Sequence, residues 1–174
     1  MPRSGPASPE SEAATFLVVR AIVYVTLFIG FLLLFLPARL LSWSGIVEPS
    51  AVGPAQVAGL VVGTAGAALA GWCIVTLVAL GRGTPAPFDP PRRLVVTGPY
   101  RVVRNPMYLG AALALAGGGL FYESWALLAY AAGFALLMHL FAVIHEEPTL
   151  RATFGAPYLR YCEQVGRWLP RSPR

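Results

Sequence analysis

Two short runs contain most of the side chains in this chain that could do chemistry. The first is Arg101, Arg104, Asn105, Pro106, Met107 and Tyr108. The second is Glu146 and Glu147, with His139 and His145 just ahead of them. Such groups are suited to holding a charged ligand. A guanidinium forks onto a carboxylate. Pro106 suits the first turn of a helix, and a helix start presents unpaired N–H groups that favour an anionic or carboxylate-bearing ligand. Two adjacent acids at the C-terminal end of an apolar helix oppose its macrodipole, so nearby arginines or a cationic ligand must compensate them. His139, Val143 and Glu146 share one helix face and Glu147 lies on a neighbouring one. The plainer reading of His139 is a histidine bonded to an adjacent helix. No metal is expected: Cys73 and Cys162 lie far apart in unlike contexts, and zinc needs about four clustered ligands.

These runs must be positioned by elements that the composition places in a bilayer. Of 174 residues, 56% are hydrophobic and 12% charged, and soluble domains carry about 25% charge. Disorder and an ordinary soluble globule are both poor fits. The sequence predicts an all-α integral membrane protein with four transmembrane helices, at about 16–36, 55–80, 106–122 and 124–145. Arg20 interrupts the first near its start, where it can snorkel. Only Tyr122, Glu123 and Ser124 separate the last two, which predicts a tight helical hairpin. Residues 1–15 are polar and rich in Ser, Pro and Ala, and are expected to be disordered; 16–174 form one domain. The weak positive charge ahead of the first span argues for a signal-anchor rather than a cleaved signal peptide.

All thirteen cationic residues are arginines, giving a net charge of +5. They concentrate in the loop 81–106 and the tail 146–174. Both fall on one side of a four-span chain, which the positive-inside rule makes cytoplasmic together with the N-terminus. For Arg82, Arg92 and Arg93 this topological role suffices. Arg101 and Arg104, wedged between two Pro-Tyr elements, are read as functional. The prolines between Pro85 and Pro91 favour a stiff extended path, and Gly98-Pro99 a turn. In the tail, apolar or aromatic residues at 150, 154, 158, 161, 165 and 168 recur with a helical period, broken early by Gly155 and Pro157. That segment could cover the cytoplasmic mouth as a lid or serve as an interfacial anchor. Small residues recur every fourth position at Ala55, Gly59, Gly63, Ala67 and Gly71, and again at Gly110, Ala114 and Gly118. Such stripes pack helix on helix and would also allow a homodimer.

Gly98-Pro99-Tyr100-Arg101, Arg104-Asn105-Pro106-Met107-Tyr108-Leu109-Gly110, Glu146-Glu147, Leu150, Phe154-Gly155, Tyr158, Tyr161 and the closing Arg167 to Pro170 form an ordered set over the C-terminal half. The set resembles the isoprenylcysteine carboxyl methyltransferase family and the related phospholipid N-methyltransferases. The family pattern has histidine where this chain has Asn105, whose amide can still donate a hydrogen bond. The resemblance implies a membrane methyltransferase using S-adenosylmethionine, bound at the cytoplasmic face by Tyr100, Asn105, Pro106, Tyr108, Gly110, Glu146 and Glu147. A lipophilic acceptor would enter from the bilayer, an isoprenylcysteine-like carboxylate first and a phospholipid amine as the alternative. Methyl transfer needs no metal, only a close, dry, ordered approach. The catalytic expectation assigns Arg101 or Arg104 to a carboxylate of cofactor or substrate. Glu146 and Glu147 go to the cofactor amine or to positioning, and one of them would accept a proton from an amine acceptor.

Three other readings compete. Sterol reductases, which use NADPH, are distantly similar in their C-terminal half but would want more spans. A membrane assembly factor or transporter subunit would show internal repeats and mid-membrane polar groups, whereas here the polar groups gather at one surface. No nucleic-acid motif is present, and topology accounts for the arginines.

Overall fold

The computed structural model describes residues 25–45, 51–81 and 93–171, with 19, 23 and 49. The expected disordered N-terminus, Arg20, Arg82, Arg92 and the proline-rich part of the loop lie outside the described residues. The described residues are helical and include no strand, only a single β-bridge between Val103 and Gly166. In chain order they form a π-wound helix α1 (Val25–Phe35), α2 (Leu36–Trp43), α3 (Pro54–Thr76), a 3₁₀ turn (Gly98–Arg101), α4 (Pro106–Phe121), α5 (Trp125–Phe141), α6 (Glu147–Phe154) and α7 (Ala156–Gln164). Among the described residues, two continuous helical stretches are long and apolar enough to cross a bilayer: Pro54–Leu80, 27 residues, and Trp125–Phe154, 30 residues. Gly30–Trp43 and Pro106–Phe121 are apolar but shorter. At 1.5 Å per residue the 16 residues of α4 rise about 24 Å, less than the roughly 30 Å of a hydrocarbon core.

Large apolar side chains are left on the outside of these helices, which suggests association with a membrane. Leu27, Leu34, Leu60, Val61, Trp72, Val75, Leu136 and Ile144 face outward, while small residues fill the helix contacts. A patch that apolar on a water-soluble protein would be an association surface. On α3 the buried positions are Gln56, Gly59, Gly66, Cys73 and Thr76. The contact stripe therefore drifts with the helical period instead of repeating every fourth residue as expected, and Ala67 and Gly71 end up exposed. A Cβ on Gly59 would lie 2.6 Å from the carbonyl oxygen of Gly117, and one on Gly66 would lie 2.6 Å from that of Gly110. Backbones this close admit only glycine. The stripes are thus used within the chain, α3 on α4, and give no support to the expected homodimer.

The hairpin between α4 and α5 forms as expected. Glu123 takes the left-handed conformation, φ 48°, that reverses the chain. The Ser124 hydroxyl then accepts from the N–H of Leu127 and caps α5. Gln56 ties α3 to this turn, its amide nitrogen donating to Glu123 Oε1 at 2.8 Å and to the carbonyl of Phe121 at 3.3 Å. Tyr108, Ala111 and Leu115 of α4 pack on Ala131, Phe134 and Met138 of α5.

One expected boundary is wrong. The last apolar helix does not stop at 145 but passes through a π turn, Ala142–Glu146, and continues as α6 to Phe154. The acid pair therefore sits inside a helix at a π turn, a feature often found at functional sites, and does not oppose a helix end. The later break is where Gly155 and Pro157 put it: Gly155 adopts φ 55° between α6 and α7.

Candidate functional site

The segment before α4 is held from two directions. Gly98, at φ 57°, opens the 3₁₀ turn that buries Pro99 and Tyr100 against α3 near Cys73. The Tyr161 hydroxyl donates to the Tyr100 carbonyl at 2.7 Å, so α7 pins the turn from the other side. Burial pushes the phenol pKa of both Tyr100 and Tyr161 above the ordinary range, which keeps Tyr161 a neutral donor. Tyr158, Tyr161 and Val165 form a small core with Leu94, Leu150 and Phe154. The tail is anchored by packing, and its last described turn runs alongside residues 103–105. There the N–H of Arg104 donates to the Gly166 carbonyl at 2.8 Å and that of Asn105 to the Arg167 carbonyl at 3.3 Å.

This crossing brings the two chemical runs together. Arg104 Nη1 lies 3.2 Å from Glu147 Oε1 and donates to Cys162 Sγ at 2.8 Å. Arg167 grips the same carboxylate with two hydrogen bonds, Nε to Oε1 at 2.6 Å and Nη2 to Oε2 at 2.9 Å, the bidentate geometry that suits arginine. The cluster lies past the apolar part of α5 and beyond the expected span 124–145. Burial alone would raise the Glu147 pKa, but the Arg167 hydrogen bonds and the charges of Arg104 and Arg167 outweigh it and hold the carboxyl below its ordinary value.

Glu146 is in the opposite condition. Its carboxyl accepts a hydrogen bond from Tyr108, yet burial, with Glu147 alongside, pushes its pKa up. Its Oε2 is buried with no partner, and so is Arg104 Nε. Buried polar atoms are nearly always paired, and an unpaired one costs about 1–3 kcal/mol. The two atoms are of opposite character, one a donor and one an acceptor, and both belong to residues at one ion-pair cluster. Asn105 occupies the N-cap position of α4 without capping it; its side chain reaches the Arg167 carbonyl at 3.5 Å instead. The start of α4 thus lacks a side-chain cap.

Of the residues expected to form the site, Arg104, Asn105, Pro106, Tyr108, Glu146 and Glu147 converge. Tyr100 is held through its carbonyl by the Tyr161 hydroxyl, and its phenol lies close enough to Glu146 for the two to interact electrostatically. Arg101 is exposed on the 3₁₀ turn, outside the ion-pair cluster. Gly110 faces α3, where a Cβ would lie 2.7 Å from the Gly66 carbonyl, a packing role. Sequence reasoning missed Arg167 as the main partner of Glu147 and Cys162 as a partner of Arg104. Part of the signal for Arg167 was present, since two adjacent acids demand cations, but the tail offers five arginines and spacing does not choose among them.

The family model described as Phospholipid methyltransferase matches residues 54–157. The matched region carries Tyr100, Arg104, Asn105, Tyr108, Glu146 and Glu147, while Tyr161, Arg167 and Trp168 lie beyond it. No curated protein matches the chain. Isoprenylcysteine carboxyl methyltransferases belong to the same broad family, so the resemblance drawn from the motifs holds at that level. With more than half of its length matched, and its two chemical runs inside the match, the chain belongs to the phospholipid methyltransferase family.

Proposed function

We propose that this protein is a multi-pass membrane methyltransferase that uses S-adenosylmethionine to methylate a lipophilic acceptor. One observation carries the reading: Glu146 Oε2 and Arg104 Nε are buried and unpartnered next to the ion pairs that hold Glu147. The residues present fit that donor. When bound it supplies a methyl group on a sulfonium, together with an ammonium and a carboxylate. Glu146 takes the ammonium, and the partnerless Arg104 Nε and the uncapped start of α4, at Asn105 and Pro106, face the carboxylate. Tyr108 orients Glu146 through their hydrogen bond and presents a ring that attracts positive charge. Glu147, occupied by two guanidiniums, does not meet the donor; it fixes Arg104 and Arg167. Pro106, fully buried, sets the direction of α4.

The acceptor enters from the bilayer beside the outward apolar faces. In the carboxylate reading, an isoprenylcysteine-like acceptor needs no base, and exposed Arg101 receives its charge at the mouth. The phospholipid amine reading is favoured by the family description; there Glu146, instead of holding the ammonium, accepts the amine proton. Four spans put the loop 81–106, the tail 146–174 and both termini on the cytoplasmic side. The test is labelled-methyl transfer from S-adenosylmethionine to membrane extracts, with identification of the product. A base-labile label identifies a carboxyl ester and a stable one an amine product. No transfer to any membrane component, from a protein that binds the donor, contradicts the reading.

A further inference from the structure

Three consecutive tail residues hold three different elements. Gly166 bridges to the segment before α4, Arg167 forks onto Glu147 at the start of α6, and Trp168 reaches α5, where its Nε1–H donates to His139 Nδ1 at 3.0 Å. Gly166 and Arg167 also accept from the N–H groups of Arg104 and Asn105. The Trp168 ring lies against the α4–α5 core, its centroid 6.0 Å from that of His139. Indole nitrogen only donates, so His139 must present an unprotonated Nδ1 and carry its proton on Nε2. In this arrangement His139 fastens the last residue of the 166–168 strap that aims Arg167 at Glu147. Glu147 in turn fixes Arg104, whose Nε, like Glu146 Oε2, is buried without a partner.

We infer that His139 is a positioning residue: by accepting from Trp168 it latches the 166–168 strap over the cluster and so sets the affinity of the site for its methyl donor. The inference rests on the methyltransferase reading for its effect on the reaction, but the latch itself is a matter of geometry. The strap lies outside residues 54–157, the region that matches the family model. The latch acts before chemistry, on the fraction of molecules whose strap is closed. Its loss therefore weakens donor binding and leaves the methyl-transfer step unchanged.

The test reads the latch and the reaction separately. Trp168→Phe removes the donor and keeps a ring in place; His139→Leu removes the acceptor; His139→Asn puts an acceptor oxygen back near the position of Nδ1. Hydrogen exchange at the amides of Arg104 and Asn105, followed without donor, reports strap closure. One hydrogen bond corresponds to roughly a threefold to tenfold change. Exchange should quicken by that factor in Trp168→Phe and His139→Leu, KM for S-adenosylmethionine should rise in step with kcat held, and His139→Asn should restore both. Exchange and KM unchanged in Trp168→Phe, or His139→Asn behaving as His139→Leu, would overturn the latch. Exchange that responds as expected in a protein that neither binds nor transfers from the donor keeps the latch and removes the reaction assigned to it.

Discussion

The two ends of the α4–α5 hairpin use polar side chains in opposite ways. At the turn, the Gln56 amide donates to Glu123 and to the Phe121 carbonyl and accepts from the N–H of Gly53, so little of its hydrogen-bonding capacity is left over. At the other end Arg104, Arg167 and Glu147 satisfy one another, yet Glu146 Oε2 and Arg104 Nε remain buried and unpartnered. A saturated network is explained by the fold alone. An unsatisfied one is a cost that the fold carries for something it binds, and this difference separates scaffold from site.

The largest effect should come from the middle of the charged end. Glu147→Ala leaves two arginines without their counter-charge, one of them mostly buried. Breaking a buried pair costs about 3–5 kcal/mol, lowered to roughly 2–4 here because Arg167 is a third exposed. Thermal unfolding in detergent should show the loss, and an unshifted midpoint would remove Glu147 as the keystone. The same pair should be acid-sensitive. Its carboxyl pKa is held down in the folded protein, so its contribution is complete above the unfolded value of about 4.3 and is lost as pH falls through the folded one. Glu147→Gln should lack that part of the acid destabilisation.

Between the two ends, Gly66→Val at the α3–α4 crossing should cost about 1–3 kcal/mol by overpacking, because no side chain there can yield to a backbone contact. The smallest effect belongs to the turn: Gln56→Leu should cost about 1 kcal/mol and leave donor affinity untouched. A changed donor affinity in that variant would mean that the two ends are not independent, and the contrast drawn between them would fail.

Much of this was legible in the sequence. The apolar runs, the Tyr122 to Ser124 reversal and the break at Gly155 follow from residue type and spacing, and the meeting of the Arg104 run with the acid pair is what the family resemblance implies. What escaped depended on geometry that spacing does not carry. The π turn at Ala142–Glu146 shifts the helical register without any proline or glycine to announce it, so the helix was ended early. Which small residues face α4 depends on the drift of a 3.6-residue period, and so Gly66 rather than Ala67 is buried. The grip of Arg167 on Glu147 and the bond from Trp168 to His139 span twenty and twenty-nine residues, and only the path of the tail brings them about.

The measurement that tests the central claim most directly is calorimetric titration of S-adenosylmethionine into wild type and Glu146→Gln. A charge-assisted hydrogen bond is worth about 1.5–3 kcal/mol, so the variant should bind roughly tenfold to a hundredfold more weakly. The Glu146 carboxyl has its pKa raised without ligand, and a cation favours its ionised form. Wild-type affinity should therefore climb as pH rises through that pKa, and the variant's should not. The raised pKa also means that the ionised carboxylate destabilises the empty fold, so Glu146→Gln should unfold at the same temperature as wild type or higher at neutral pH. Equal donor affinity in the two proteins, with the same pH dependence, would contradict the account.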